Sequence, residues 1–563
     1  MKTLLVAVLL LGPAVAVAEQ NAAVWCVGES TKVRPGDEPQ ATNLIWGAAS
    51  RTVTLGSARN EYVAFQIAVR AVQGELKDVT VEAGDLGGPE GAVISKANIN
   101  LFVEHYLDVK ISSRSDASHL FPQCTAGEHP AQMVPFNAKK FGAPFAVGAN
   151  RNQPVWVDIY VPEDARPGPY SGVFKVKAGG QSLAEFKVAL EVWNFTLPHE
   201  THFRTLLYTG PENLRWAHRL PADMNAPEWA PLEDQYYQMA HQHRLNFGPC
   251  AGTGLEEVLD RYYKYYDGSG FTQRVGKGIG QNLACITPEG RTEEALKKLA
   301  KDIVEKWEAK KPKALLIAYI WDEPHSAQDF TESKKRCQWV HEAVGDKIKT
   351  FIATPQYDKY DAGDVNIYSE PGIEDIPKVL GRGDSVWAVN GGYAAGPYVD
   401  SPGYGGRSIV WMNWKMNLGG WQFWDCCYWV DKQNLRRAGF TAAKANANPE
   451  KWLIDLWENP LNYDETRKPG YPVRDAIRIN GDGLLFYPGH DIGINGPIAS
   501  YTMKSLRRGA QDYEYLWLLK QQGKEAKTKP IVDRVCPAAG KWDDNPESWD
   551  KARLELAKML NQP

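Results

Sequence analysis

Near residue 200 the period of the hydrophobic pattern changes, and that change does most to limit the folds open to the chain. Before it, stretches such as RTVTLGSARNEYVAFQIAVRAV (51–72) and QPVWVDIYV (153–161) alternate apolar and polar residues. Turns such as Arg166-Pro167-Gly168-Pro169 break them. A period of two puts successive side chains on opposite faces of a strand. No helical period of comparable length intervenes, so the expectation over 19–200 is an antiparallel β-sandwich. After FTLPHETH (195–202), short apolar runs are separated by amphipathic stretches at 232–243, 292–309 and 326–344. Strands that alternate with helices pair in parallel, because the crossover helix returns the chain to the same end. The candidate strands are 203–210, 245–250, 280–286, 314–321, 348–354, 365–370, 385–392, 419–425 and 483–489. Nine runs for eight places predict a (β/α)8 TIM-type barrel over 201–525 with one accessory run. A doubly wound open sheet is the alternative, but no GxGxxG or Walker pattern follows the first strand.

The chain of 563 residues is too long for a single core. Its first 18 residues read as a secretory signal: Lys2, an apolar run from Leu4 to Leu11, then Ala16-Val17-Ala18, with cleavage expected after Ala18. No other stretch approaches the roughly 20 apolar residues of a membrane helix, so no membrane span is expected and the protein is read as secreted or periplasmic. A net charge of −4 without any long basic run argues against nucleic acid as a partner. The polar, Lys-rich end, 526–563, reads as a tail with a helix near 547–560. The eight cysteines include the neighbours Cys426 and Cys427, but no CxxC or His-rich spacing accompanies them. Structural thiols or disulfides are therefore expected, with no metal and no cofactor. The sequence sets no oligomeric state. Its 20 Trp and 25 Tyr suit stacking on the C–H faces of sugars and suit a core equally well.

The stretch ALLIAYIWDEPHS (314–326) delivers two carboxylates, Asp322 and Glu323, at the end of a buried-type strand. In a barrel the carboxyl end of a strand is the active-site face. A regular strand turns only one of two neighbours inward, but Pro324 ends the ladder and lets the chain bend. Two close carboxylates push each other's titration apart, which allows one to stay protonated while the other is ionised. Three readings compete: Asp322 as cap of the following helix with Glu323 solvated, a divalent-cation site lacking an obvious third oxygen ligand, and a glycosidase pair. Ordinary glycosidases place their two carboxylates across the sugar. Adjacent ones suit substrate-assisted hydrolysis, in which the sugar's own 2-acetamido oxygen attacks the anomeric carbon. One acid then protonates the leaving oxygen while its neighbour holds the acetamide N–H. No GxSxG elbow supports a serine hydrolase.

YIWDEP (319–324), INGDGLLFYPG (479–489) and GPIASYTMKSLRRGAQDYEYLWLL (496–519) resemble glycoside hydrolase family 123, the β-N-acetylgalactosaminidases. ARNEYVAFQ (58–66) and WVDIYVPEDARPGPYSG (156–172) resemble the sandwich that precedes their barrel. The resemblance implies a retaining, acetamide-assisted enzyme acting on a glycan or glycolipid, with Glu323 as general acid/base and Asp322 orienting the acetamide. One departure is Tyr501-Thr502, where relatives show an apolar residue followed by Arg. Further substrate contacts are expected by position: Trp387 and Asn390 on one strand, Trp421 and Trp424 on another, Tyr487 near the end of the last, and Arg244 and Asn246 around the second. For each of these a packing or structural role stays open. Arg507, Asp512 and Glu514 are expected to form a structural ion-pair set, and His325 to be an ordinary loop residue.

Overall fold

The computed structural model describes residues 21–114, 123–248, 255–288, 292–310, 312–431, 449–464 and 477–561. The expected leader and Cys250 lie outside the described residues. The alternating N-terminal pattern folds into two β-sheets. The first runs, in hydrogen-bonded order, Ala22–Gly28, Glu61–Ala71, Asn152–Val161, Ile99–Val109 and Gly127–Pro135, all antiparallel. The second is built mainly on Leu76–Ala83, Gly168–Ala178, Gln181–Thr196 and Thr52–Arg59, with one parallel pair between the last two. Period two decides which side chains meet. Val63, Phe65, Ile67, Val155 and Val157 of the first sheet share a core with Val81, Phe174, Val176 and Val188 of the second. The opposite face of the first sheet carries Ala64, Met133 and Trp156, and these pack on Tyr501 of the C-terminal half. That sheet is therefore buried on both faces.

The second half is built on seven parallel strands: β1 Thr205–Leu207, β2 Leu283–Ile286, β3 Leu315–Asp322, β4 Lys349–Ala353, β5 Ile367–Ser369, β6 Ser385–Val389 and β7 Gly420–Phe423. They pair in the order β1-β7-β6-β5-β4-β3-β2, a nearly closed barrel. Around it lie the helices α1 Trp229–Gln242, α2 Glu293–Lys310, α3 Ala327–Val344, α4 Ile376–Gly381, α5 Gly405–Lys415 and α6 Tyr501–Gln521. Leu206, Leu283, Ile317, Phe351, Ile367 and Trp387 point inward and fill the barrel. Their strand neighbours, among them Leu316, Ala318, Ile352, Val386 and Trp421, point outward to the helices.

Two of the nine expected strands differ. Residues 245–248 stand between β1 and β2 without a ladder, because side-chain amides take over its hydrogen bonds. Asn246 Nδ2 donates to Asn282 Oδ1 (2.7 Å) and Phe247 N–H to Gln281 Oε1 (2.6 Å), while Gly248 N–H reaches the strand carbonyl of Leu207 (2.6 Å). The run 483–489 forms Phe486–Pro488, which pairs antiparallel with Pro497–Ala499 outside the barrel. Among the described residues the parallel sheet therefore has seven strands, with 245–248 bridging β1 and β2.

Helix α6 joins the two halves through buried charge. Glu61, wholly buried at the start of its strand, accepts hydrogen bonds from Arg508 (2.6 Å), Gln511 (3.0 Å), Tyr515 (2.7 Å) and Arg553 (3.0 Å). Arg553 comes from the tail helix α7, Pro546–Leu560. Burial alone would raise the Glu61 pKa, but Arg553 and Arg508 outweigh it and hold the carboxyl at about 2. Asp158 of the same sheet takes Lys504 (2.7 Å) and both branches of Arg507, while Arg407 of α5 pairs with Asp512 (2.6 Å) and His202 with Glu514 (2.6 Å). Arg507, Asp512 and Glu514 are structural, as expected. Removing one partner of a buried ion pair leaves the other charged and desolvated. Glu61→Ala is therefore expected to cost about 3–5 kcal/mol in urea unfolding at neutral pH. The wild-type advantage is complete above the ordinary Glu pKa of 4.5 and fades as pH falls toward about 2.

Candidate active site

The apolar run of β3 carries a register shift against β4, between Tyr319 and Trp321. Such a bulge changes the phase of the strand. Tyr319 packs with the inward residues. Ala318, Ile320 and Trp321 pack outward, and Trp321 lies 5.0 Å from the Arg336 guanidinium of α3. Beyond the bulge Asp322 returns to the side of Tyr319, whose hydroxyl donates to Asp322 Oδ1 at 2.8 Å. An ionised carboxylate only accepts, so the Tyr319 proton is committed to Asp322 and its oxygen is left to accept. Beside it, the amide nitrogen of Gln422 of β7 donates to Tyr208 Oη at 3.2 Å. Tyr208, Gln422 and Tyr319 thus form a polar layer above the apolar barrel filling. Burial raises both tyrosine hydroxyls well above their usual range, which keeps them protonated donors.

Glu323 continues the turn with a left-handed backbone, φ +46°, and its N–H still donates to Ala353 O at 3.0 Å. Its side chain stays 74% exposed, with His325 Nε2 3.8 Å away. Pro324 is buried behind it. Neither carboxylate caps α3. Ser326 does so, accepting from Asp329 N–H (3.1 Å) while Asp329 accepts from Ser326 N–H (2.9 Å). The capping reading of Asp322 is thereby removed, and both carboxylates are left at the mouth of the barrel, exposed to solvent.

The other expected contacts divide. Trp424, just past β7 and half-buried, donates its indole N–H to both oxygens of Asp482 (3.1 and 3.2 Å). Its backbone N–H lies 3.5 Å from Asn390 Oδ1. Trp424 and Asn390 therefore meet at the rim. Five others do not reach it, each for a reason of packing or hydrogen bonding. Trp387 is sealed inside the barrel against Phe351, 6.0 Å between ring centres, and covers Gly420 so closely that a Cβ there would lie 2.9 Å from the ring. Trp421, one residue out of phase, points outward, stacks on Phe423 and donates to Asn390 O (2.8 Å). Tyr487 is wholly buried in the accessory hairpin. Arg244 is buried where the two halves meet, on the carbonyls of Pro198 (2.8 Å), Glu200 (3.3 Å) and Asn60 (3.2 Å). Asn246 is consumed in bridging β1 and β2.

Two acids at this end escape a reading based on adjacent pairs. Burial raises Asp482, below Trp424, to about 7, and raises Glu370, just past β5, to about 7 as well. Among the described residues no three His, Cys, Asp or Glu gather as a metal site, and the seven described cysteines are free thiols. Tyr501, at the position where the motif departs, faces away from the mouth and donates to the carbonyls of Glu29 and Thr31.

Ionising Asp482 is harder in the folded protein than in the unfolded chain. Wild type should therefore lose stability relative to Asp482→Asn as pH rises from 3.8 through about 7, and the gap should level off beyond. Thermal unfolding of the pair across that range measures it, and a pH-independent difference would contradict the assignment.

Residues 42–178 match the glycoside hydrolase 123 N-terminal domain. No curated protein matches the chain. Among solved structures, the chain is similar to a family 123 glycoside hydrolase from Clostridium perfringens, described for glycolipid glycan hydrolysis. Identity is 14%, coverage 96% of this chain and 98% of that one, and the TM-score 0.66. A Bacteroides ovatus GH5 xyloglucanase (9% identity, 71% and 98% covered, TM-score 0.25) and a Ruminococcus gnavus β-glucuronidase (9%, 66% and 61%, TM-score 0.24) align far more loosely. The chain thus matches the family 123 N-terminal domain over 42–178, shares the fold of a family 123 enzyme along almost its whole length, and resembles glycoside hydrolase family 123.

Proposed function

We propose that the protein is an exported, retaining glycoside hydrolase that removes terminal β-linked N-acetylhexosamine, foremost N-acetylgalactosamine, from a glycan or glycolipid by acetamide-assisted catalysis. The observation that carries the reading is the disposition of the carboxylate pair. The β3 bulge and the left-handed Glu323 bring two consecutive acids to the mouth in different settings, Asp322 tied to Tyr319 and Glu323 free in solvent. A fixed carboxylate suits the residue that holds the acetamide N–H and steers its oxygen to the anomeric carbon. A mobile, solvent-facing carboxyl suits proton delivery to the leaving oxygen and its later return from water. The half-buried Trp424 supplies an aromatic face for the ring. The first 18 residues support export, and the similarity to the Clostridium perfringens enzyme supports a glycan or glycolipid substrate. In the same reading the two N-terminal sheets are a β-sandwich, and the barrel is a (β/α)8 fold whose second strand is the bridging segment 245–248.

The two roles separate by leaving group. Glu323→Gln should lose several hundredfold or more on substrates with poor leaving groups and much less on activated aryl ones, which need little protonation. Asp322→Asn should lose about equally on both. Tyr319→Phe removes the donor that fixes Asp322 and should lower kcat by about tenfold, with a smaller change in KM. Near-normal turnover in both carboxylate variants would place the site elsewhere.

A further inference from the structure

Three barrel strands end with the same unusual turn. Glu323 after β3, Glu370 after β5 and Asn390 after β6 have left-handed backbones, with φ of +46°, +47° and +51°. Each donates its N–H sideways to a carbonyl of a neighbouring strand: Ala353 (3.0 Å), Trp387 (3.0 Å) and Gln422 (2.9 Å). A non-glycine residue in this conformation is strained, and such strain concentrates at functional sites. At two of these turns the local sequence repeats as well: Glu323-Pro324 ends β3 and Glu370-Pro371 ends β5.

Glu370 stands on the rim between the acid pair and the Asn390–Trp424 contact, in the circular order β3, β4, β5, β6, β7. Its Oε1 accepts Val389 N–H at 3.1 Å, which fixes the head of the side chain over β6. Among the described residues no cation pairs with it and no other donor meets its second oxygen. The residue is partly buried. A role limited to accepting one N–H calls for one neutral oxygen, and an amide would supply it without the cost of desolvating a carboxylate. A carboxyl with one oxygen pinned and one open is instead suited to accept a ligand O–H. Burial, which lifts its pKa to about 7, agrees with a carboxyl waiting for a polar partner.

We infer that Glu370 is a substrate-contacting, specificity-determining residue, its open carboxyl oxygen accepting one ring hydroxyl of the terminal sugar. The inference rests on the glycosidase reading and deepens it, because it names a determinant of which hydroxyl pattern the mouth admits. The sugar stacks on Trp424, its reducing side faces Asp322 and Glu323, and Glu370 reads a hydroxyl at the rim between them.

The test uses the full-length enzyme with aryl β-N-acetylgalactosaminide and its 3-, 4- and 6-deoxy analogues, for wild type, Glu370→Gln and Glu370→Ala. Wild type should lose about tenfold or more in kcat/KM on the analogue that lacks the hydroxyl read by Glu370. Glu370→Ala should lose a similar factor on the parent sugar, chiefly through KM, and lose nothing further on that one analogue. A purely structural role would scale all four substrates alike. If Glu370→Ala fails to fold, the near-isosteric Glu370→Gln carries the same comparison. Variants that keep the full wild-type discrimination among the analogues would overturn the inference while leaving the glycosidase reading intact. A wild type inert on every sugar would remove the reading, and this inference with it.

Discussion

The carboxylate of Glu61 is the point from which the rest of the architecture hangs. It sits in a space closed to water and accepts from three side chains of α6, one of α7, and Ser57 and the Ala58 N–H of its own sheet region. Leaving any of these unmade would strand charge in the interior, so the N-terminal sheet and the last barrel helix have one arrangement that is acceptable and many that are not. The constraint propagates. Helix α6 is capped by Ser500, directly after the strand Pro497–Ala499, and that strand holds Phe486–Pro488. Four residues upstream of this hairpin lies Asp482, which anchors the indole of Trp424. A path of ordinary contacts thus runs from the inter-domain ion pairs to an aromatic at the mouth. The first N-terminal sheet is thereby tied to the last barrel helix.

At the mouth, the governing device is a change of strand phase. Without the bulge in β3, Asp322 would face the helices with Ala318 and Ile320, and the pair would be divided by the sheet. With it, Asp322 joins an inward polar layer whose hydrogen bonds have only one consistent direction: amide to tyrosine, tyrosine to carboxylate. Glu323 then leaves the strand by a left-handed turn and takes no part in that layer. Two chemically similar neighbours are given unlike surroundings, one held and one free, which is what a division of labour between them requires.

Much of this was legible in the chain. The change of hydrophobic period near 200 located both halves, and the apolar run closed by Asp322-Glu323-Pro324 located the mouth. The bulge was not legible, since ALLIAYIW is apolar on both faces and a run buried on both sides carries no phase. Residues 245–248 read as a strand by hydropathy, but the amides of Asn246 and Gln281 had taken over the ladder, a substitution visible only in three dimensions. Trp387 and Trp421 were grouped with Trp424 because all three lie on candidate barrel strands. Strict alternation would have assigned one to the barrel interior and the other to the helix side. Glu370 had a signal that went unused, the Glu-Pro that repeats Glu323-Pro324 at another strand end. Asp482 had only its place in GDG, and its burial under Trp424 depends on contacts far apart in sequence.

The central claim is that the pair acts on an acetamido sugar whose own carbonyl oxygen is the nucleophile. Steady-state hydrolysis of matched aryl β-N-acetylgalactosaminide, β-N-acetylglucosaminide and β-galactoside tests it most directly. The account predicts cleavage of one or both acetamido sugars, with the plain galactoside slower by at least about a thousandfold, because removing the acetamide removes the nucleophile itself. Cleavage of the plain galactoside at a rate equal to the acetamido sugars would contradict it.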